Sequence, residues 1–174
     1  MPESAFIVRV PEAEACVCNL RERYDASARL GVPAHITVLV PFMSPELITS
    51  SVTRKVQSAL SQVKTFAFSL VGVARFPATT YLAPKPAEPF IALTEALVAS
   101  FPQFPPFSGA HETVIPHLTV ANGSALEAEL VAVELVSLLK LHGPIHSVCS
   151  SVSLFENSSG RWKEMNAFTL PPDA

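Results

Sequence analysis

The chain is poor in charge, glycine and cysteine, and each shortage removes a class of function. Charged residues make up 16% of the 174 positions, the formal net charge is −3, and lysine and arginine form no cluster. A broad electrostatic footprint on duplex DNA is therefore not expected, because such binding rests on many phosphate contacts. The 6 glycines build no P-loop and no G-x-G-x-x-G, and no G-x-S-x-G nucleophile elbow occurs. Cys16, Cys18 and Cys149 are odd in number, and Cys-x-Cys is not a zinc-knuckle spacing. Reduced, structural thiols are expected. The acidic residues supply no cluster for a hard cation, so no metal and no other cofactor is expected. His142 and His146 have a metal-like separation, but Gly143 and Pro144 prevent a helical pair.

Long hydrophobic runs are also missing. Arg75, Glu134 and Lys140 interrupt the best candidates for a membrane span. The start, MPESAFIVRV, has neither the basic region nor the long apolar stretch of a signal peptide. A monomeric protein of the cytoplasm, without a membrane partner, is the expectation.

What is present is a 49% hydrophobic fraction, ample for the core of one two-lobed domain over residues 1–174. Ser4 to Val10 reads as a strand, and Pro11 opens a helix through about Tyr24. Ala34 to Val40 is a β-branched apolar run, read as a buried strand. Ser44 followed by Pro45 predicts a helix reaching about Gln62. Residues 65–76 and 79–84 read as paired strands, 86–101 as a helix, and the Pro- and Phe-rich 101–108 as a loop between halves. A second apolar strand follows. Ser124 and Glu127 form a capping box for a helix to about Leu141. Ile145 to Glu156 and Trp162 to Leu170 make a hairpin around Asn157-Ser-Ser-Gly160.

Two strands carry chemistry. GVPAHITVLVPF holds His35 and Thr37, and VIPHLTVANG holds His117 and Thr119 half a chain later. In each, a proline precedes the histidine and a capped helix follows. Residues i and i+2 of a strand share a face, so each histidine projects with its threonine while Ile36 and Leu118 turn to the core. A single His-x-Thr is commonplace in strands. Two in matching contexts imply a duplicated unit, with a sheet from each half facing the other across a groove. Two imidazoles and two hydroxyls converging there suit phosphate-ester chemistry: one imidazole accepts a proton, the other donates one, and the hydroxyls bond the phosphate oxygens.

These motifs resemble those of the 2H phosphoesterase superfamily, which contains 2′-5′ RNA ligase-like proteins and 2′,3′-cyclic phosphodiesterases. Its hallmark, a pair of His-x-Thr/Ser-x motifs, is matched by His35-Ile36-Thr37-Val38 and His117-Leu118-Thr119-Val120. HITVLVPF, YLAPKP and SLFENSSGRW also look like the 2′-5′ RNA ligase-like branch. The resemblance implies a two-lobed α+β fold, with two pseudo-symmetric lobes, each an antiparallel sheet with helices, facing across a central groove. It implies metal-independent action on 2′,3′-cyclic phosphate ends or 2′-5′ linkages of nucleotides or RNA, with His35 and His117 catalytic. Thr37 and Thr119 would cradle the phosphate. A catalytically weak module that binds nucleotide or RNA ends in the same groove is the alternative. Relatives of the cyclic-phosphodiesterase type carry an arginine soon after the second motif, where this chain has Ala121-Asn122-Gly123; Arg29, Arg75 or Lys85 are the candidates to replace it. Phe42 and Trp162 are candidates to stack on a base, with Tyr81 and Phe155 behind them. His111 is expected in a loop at the groove's edge.

Overall fold

A computed structural model describes residues 1–173. Strand β1 (Ser4–Arg9) leads through a 3-10 turn at Pro11–Ala13 into α1 (Glu14–Tyr24) and the short α2 (Ala26–Arg29), followed by β2 (His35–Leu39). Then come α3 (Ser50–Leu60), β3 (Phe66–Phe76), β4 (Thr79–Lys85), α4 (Glu88–Ser100) and β5 (Leu118–Asn122). The remaining elements are α5 (Ala125–His142), β6 (Ile145–Cys149), β7 (Ser151–Glu156) and β8 (Lys163–Thr169). The fold is α+β, as expected.

Two boundaries differ from the sequence reading. Pro45 starts only a 3-10 turn, Pro45–Leu47, and α3 begins at Ser50. Its cap is Thr49, whose side chain accepts from the Val52 N–H at 3.3 Å, whereas Ser44 caps nothing. The run from Ile145 to Glu156 is two strands, not one. At Ser150 the chain leaves one partner for another, and the Ser150 carbonyl accepts from the Leu170 N–H at 2.9 Å.

The strands form one eight-stranded antiparallel sheet in the order β6-β3-β4-β5-β2-β1-β7-β8. β6 and β7 stand six places apart in that order yet only Ser150 separates them in the chain, so the sheet has to curl. The two lobes are its halves, β2-β1-β7-β8 and β5-β4-β3-β6. Each half takes two strands from the first half of the sequence and two from the second, so a lobe is not one copy of the expected duplicated unit. The lobes meet where β2 lies against β5, with Ile36 paired to Leu118. Both side chains are fully buried in a core cluster that draws on both halves.

The helices cross between halves. α1 leaves the first half and packs on β5 of the second, while α4 leaves the second and packs on β2 of the first. The short seam leaves main-chain groups of β2 without ladder partners, and buried carbonyls need donors. Thr94 of α4 supplies one: its hydroxyl donates to the Val38 carbonyl at 2.7 Å. The motif strands are therefore held from behind by helices of the opposite half.

Candidate active site

The Ile36–Leu118 pair fixes the site. Extending its antiparallel register one residue each way sets His35 across from Thr119 and Thr37 across from His117. Directly opposed Cβ atoms on one face stand about 4.5–5.5 Å apart. The four side chains make a two-by-two array on the face away from the core, and all four are half-buried.

The backbone orients both imidazoles in the same way. Nδ1 of His35 lies 2.8 Å from the Pro33 carbonyl oxygen, and Nδ1 of His117 lies 2.6 Å from that of Ile115. A carbonyl only accepts, so each Nδ1 carries the hydrogen and each Nε2 is left for the groove. Desolvation lowers the pKa of His35 from 6.5 to about 4; the Pro33 carbonyl and Asp25 oppose it, and the charges of Arg21 and His117 add to it. His117 is lowered too, by desolvation, against the Ile115 carbonyl. Among the two, His35 is the better candidate to meet substrate neutral.

Arg21 is part of this arrangement, and sequence reasoning missed it. It is 2% exposed, and its guanidinium donates to Asp25 at 3.1 and 3.2 Å, to the Ser27 hydroxyl at 3.2 Å and to the Val32 carbonyl at 3.1 Å. It thereby ties down the loop whose next carbonyl, that of Pro33, holds His35. Gly31 lets that loop dock. With φ at +101°, it lies so near the Trp162 carbonyl that a Cβ would sit 2.8 Å from the oxygen.

Chambers open on either side of the array. A small one, about 130 Å³, is lined by Ile7, His35, Thr37, Phe155 and Trp162. A larger one, about 740 Å³, is lined by Phe76, Thr79, Phe107, His111, His117 and Asn122. Its outer wall is strained, because Phe107 and Ser108 both have positive φ, 51° and 54°, each unfavourable by roughly 1–3 kcal/mol. The Phe107 N–H donates to the Val40 carbonyl at 2.7 Å, which anchors this wall to the end of the first motif strand.

The aromatic residues divide. Trp162 and Phe155 line the small chamber. Phe42 does not reach the groove: it is 5% exposed and its ring packs on Phe6, Phe101 and Phe104 at 4.8–5.1 Å between centroids. Its N–H donates to the Ser4 carbonyl at 2.8 Å, and the chain has by then turned to the helix side. Phe42 is a core residue. Tyr81 and Phe76 box the His117 ring, each with its centroid 5.4 Å away. Phe76 was not singled out in the sequence, because its position in the alternation is legible only once the β3–β4 register is known. His111 does line the groove, edge-on to Phe107 at 5.4 Å.

Of the proposed replacement cations, Arg29 is engaged with the carbonyls of Glu22 and Arg23, at 2.7 and 3.4 Å, and Arg75 with that of Ala125, at 3.3 Å. A different arginine stands nearer. Arg9 pairs with His35 across β1–β2, and its guanidinium lies 6.0 Å from the Phe155 ring centroid and 3.7 Å from Glu164. Cys16, Cys18 and Cys149 are free thiols, and burial pushes Cys149 up to about 12. Among the described residues no group of three or more His, Cys, Asp or Glu side chains is placed to hold a metal, and no helix is long and apolar enough to cross a membrane.

The 2′-5′ RNA ligase superfamily matches residues 8–161, spanning both motifs. The chain belongs to that superfamily, the 2H phosphoesterases. Solved structures agree on the fold. E. coli LigT complexed with 3′-AMP superposes with a TM-score of 0.61 at 12% identity, covering 98% of this chain and 99% of that one. LigT complexed with NADP+ gives 0.61 at 15%, covering 97% of each. A protein of Thermus thermophilus gives 0.61 at 17%, covering 99% and 100%. No curated protein matches the sequence.

Proposed function

We propose that this 2H phosphoesterase opens 2′,3′-cyclic phosphate ends of nucleotides or RNA, or cleaves 2′-5′ linkages, with His35 and His117 as acid–base pair and no metal. One observation carries the reading: both Nδ1 atoms are capped by backbone carbonyls, so two Nε2 atoms and two threonine hydroxyls converge on one face. That set complements a phosphate flanked by an attacking and a leaving oxygen.

In the proposed reaction His35, neutral, takes a proton from water as the water oxygen bonds to phosphorus. The bond from phosphorus to one ribose oxygen breaks, and His117, protonated, gives that oxygen its proton. The product is a monoester. The histidines have exchanged protonation states and reset through solvent. Thr37 and Thr119 donate to the non-bridging oxygens, whose charge grows in the transition state. The chamber beside His117 has room for a nucleoside, with aromatic faces at Phe76 and Phe107 and hydrogen-bonding groups at Asn122 and Thr79. LigT is known in complexes with 3′-AMP, NADP+ and ATP, which favours a nucleotide ligand here.

The deciding experiment is turnover of cyclic nucleotides, cyclic-ended RNAs and 2′-5′ oligomers in excess chelator. Hydrolysis of at least one substrate under these conditions supports the proposal. Activity that disappears with chelator and returns with Mg²⁺ or Zn²⁺ rejects the mechanism. Binding without turnover at any pH leaves the groove a binding module.

A further inference from the structure

Helix α5 carries aliphatic side chains on both its faces. Ala128, Val131 and Leu135 are buried, as the inward stripe of a surface helix should be. The opposite face should then be polar. Instead Leu126, Leu130, Val133 and Val136 are 66%, 57%, 69% and 42% exposed. Beside them Val71 of β3 is exposed too, and with Val73, Val136, Leu139 and Pro144 it lines a hollow of about 260 Å³. Contiguous apolar surface of this kind marks a place of association. The order of residues along the face names the occupant. Glu129, Val133, Val136 and Lys140, all exposed, follow at steps of four, three and four, the spacing of a coiled-coil seam. At 3.6 residues per turn they lie within about 60° of one another around the axis. Read backwards, the face keeps its spacing and its two valines and exchanges only the sign of its end charges. Neither Glu129 nor Lys140 has an ion-pair partner among the described residues.

We propose that α5 is a self-association surface, on which two copies of this chain pair antiparallel about a twofold axis midway between Val133 and Val136. Val133 of each copy then meets Val136 of the other, and Glu129 of each meets Lys140 of the other. Leu126 comes over the end of the opposite helix, at Gly143. Leu130 and Leu139 flank the seam and widen its apolar strip. A lipid surface fits this face less well. The helix exposes Glu127, Glu129 and Glu134 against Lys140 and His142, and the chain is net negative, whereas anionic membranes select lysine and arginine. The groove stays open in the pair, because α5 packs on the other side of the sheet. The proposed dimer departs from the monomer expected of the sequence. One helix pair is smaller than a standard interface of about 800 Å² a side, so the dimer is weak and forms as protomer concentration rises.

Sedimentation velocity of the whole chain, from about 1 to 500 µM, should show a monomer–dimer equilibrium. Val133→Glu puts a carboxylate into the seam and should abolish the dimer, while the melting temperature of dilute protein stays as it is. Glu129→Lys and Lys140→Glu each set like charges against each other at both ends, and each should weaken the dimer about tenfold. The double reversal restores opposite charges and should restore the dimer. A chain that stays monomeric throughout the range would overturn the proposal, and so would a dimer indifferent to Val133→Glu. Single reversals that the double fails to rescue would exclude antiparallel pairing in this register. A monomer that co-sediments with phosphatidylglycerol vesicles would give the face to lipid instead.

Discussion

Ile36 and Leu118 face each other across the seam between β2 and β5, and they are the pair through which the two halves of the sheet meet among the described residues. Everything polar in the groove takes its place from that apolar contact. Replacing Leu118 with alanine should cost about 2–5 kcal/mol through lost burial and a residual cavity. It should also lower kcat more than the fraction of folded protein explains, because the array shifts with the seam. Denaturant unfolding beside kinetics on the folded fraction measures both. A variant that loses stability and keeps full kcat would show that the seam does not position the site.

If the histidines are acid and base in one transition state, His35→Ala and His117→Ala should each lower kcat by about 10²–10⁴-fold. The double variant should lose far less than the product, since the second group has little left to assist. Thr37→Val and Thr119→Val should be milder, about 1.5–3 kcal/mol for a hydrogen bond to a charged oxygen. Single histidine variants that melt normally and retain near-normal rates would end the catalytic assignment.

The pH dependence follows from the direction of the shifts. His35 is neutral in the folded chain down to about 4, whereas the unfolded imidazole takes its proton near 6.5. The unfolded state therefore binds more protons in that window. The contribution of this group to stability is fully present above 6.5 and is lost as pH falls towards 4. Subtracting the melting profile of His35→Gln from that of wild type should isolate this slope. Lowered values for both histidines also place the bell of kcat/KM on the acid side of neutrality, with macroscopic pKa values that belong to the pair. Bound phosphate favours the protonated rings, so the kcat profile should lie to the alkaline side of the kcat/KM profile. Profiles displaced the other way would contradict the assignment.

The two aromatic candidates should now separate. Phe42→Ala removes a core ring and should destabilise by about 3–5 kcal/mol, with kinetic constants per folded molecule unchanged. Trp162→Ala should raise KM for nucleotide substrates and affect stability less, because the ring is only half-buried at the small chamber. Opposite patterns would exchange their roles.

Breaking the Arg21–Asp25 pair should be as damaging as removing a core ring. Asp25→Asn leaves the guanidinium without its counter-charge in a buried place, and one-sided loss of such a pair costs about 3–5 kcal/mol. It also removes a negative charge that raises His35, so the acid limb of kcat/KM should move to lower pH in the protein that remains folded. An acid limb that stays in place would separate the pair from His35.

The motifs were legible in sequence because their signal is local: a titratable ring and a hydroxyl at period two in an aliphatic strand. Helix α5 was legible for the same reason, since Ser124 caps it three residues before Glu127. The exchange of α1 and α4 between halves was not, because packing partners leave no mark in the periodicity of either helix. Ser150 breaks the alternation, since two exposed serines separate the buried Cys149 and Val152, but one extra residue in a run does not tell that its neighbours change ladder partners. Phe42 misled because a ring two residues beyond a motif strand can turn either way, and only the Ser4 carbonyl decides. Arg9 was overlooked as one charge in an apolar strand, and its value depends on the pairing with His35.

That both imidazoles lean on main-chain carbonyls bears on how freely this site can drift. Where a carboxylate orients a histidine, one codon change removes the support. Here the acceptors belong to Pro33 and Ile115 by position and not by side chain, and every residue brings a carbonyl. Substitution at 115 can alter bulk or polarity and leave the tautomer of His117 as it is. At 33 only the proline's restriction of φ is at stake. The genetic target for disabling the pair from the second rank is therefore small, and it lies in the turns that aim those carbonyls.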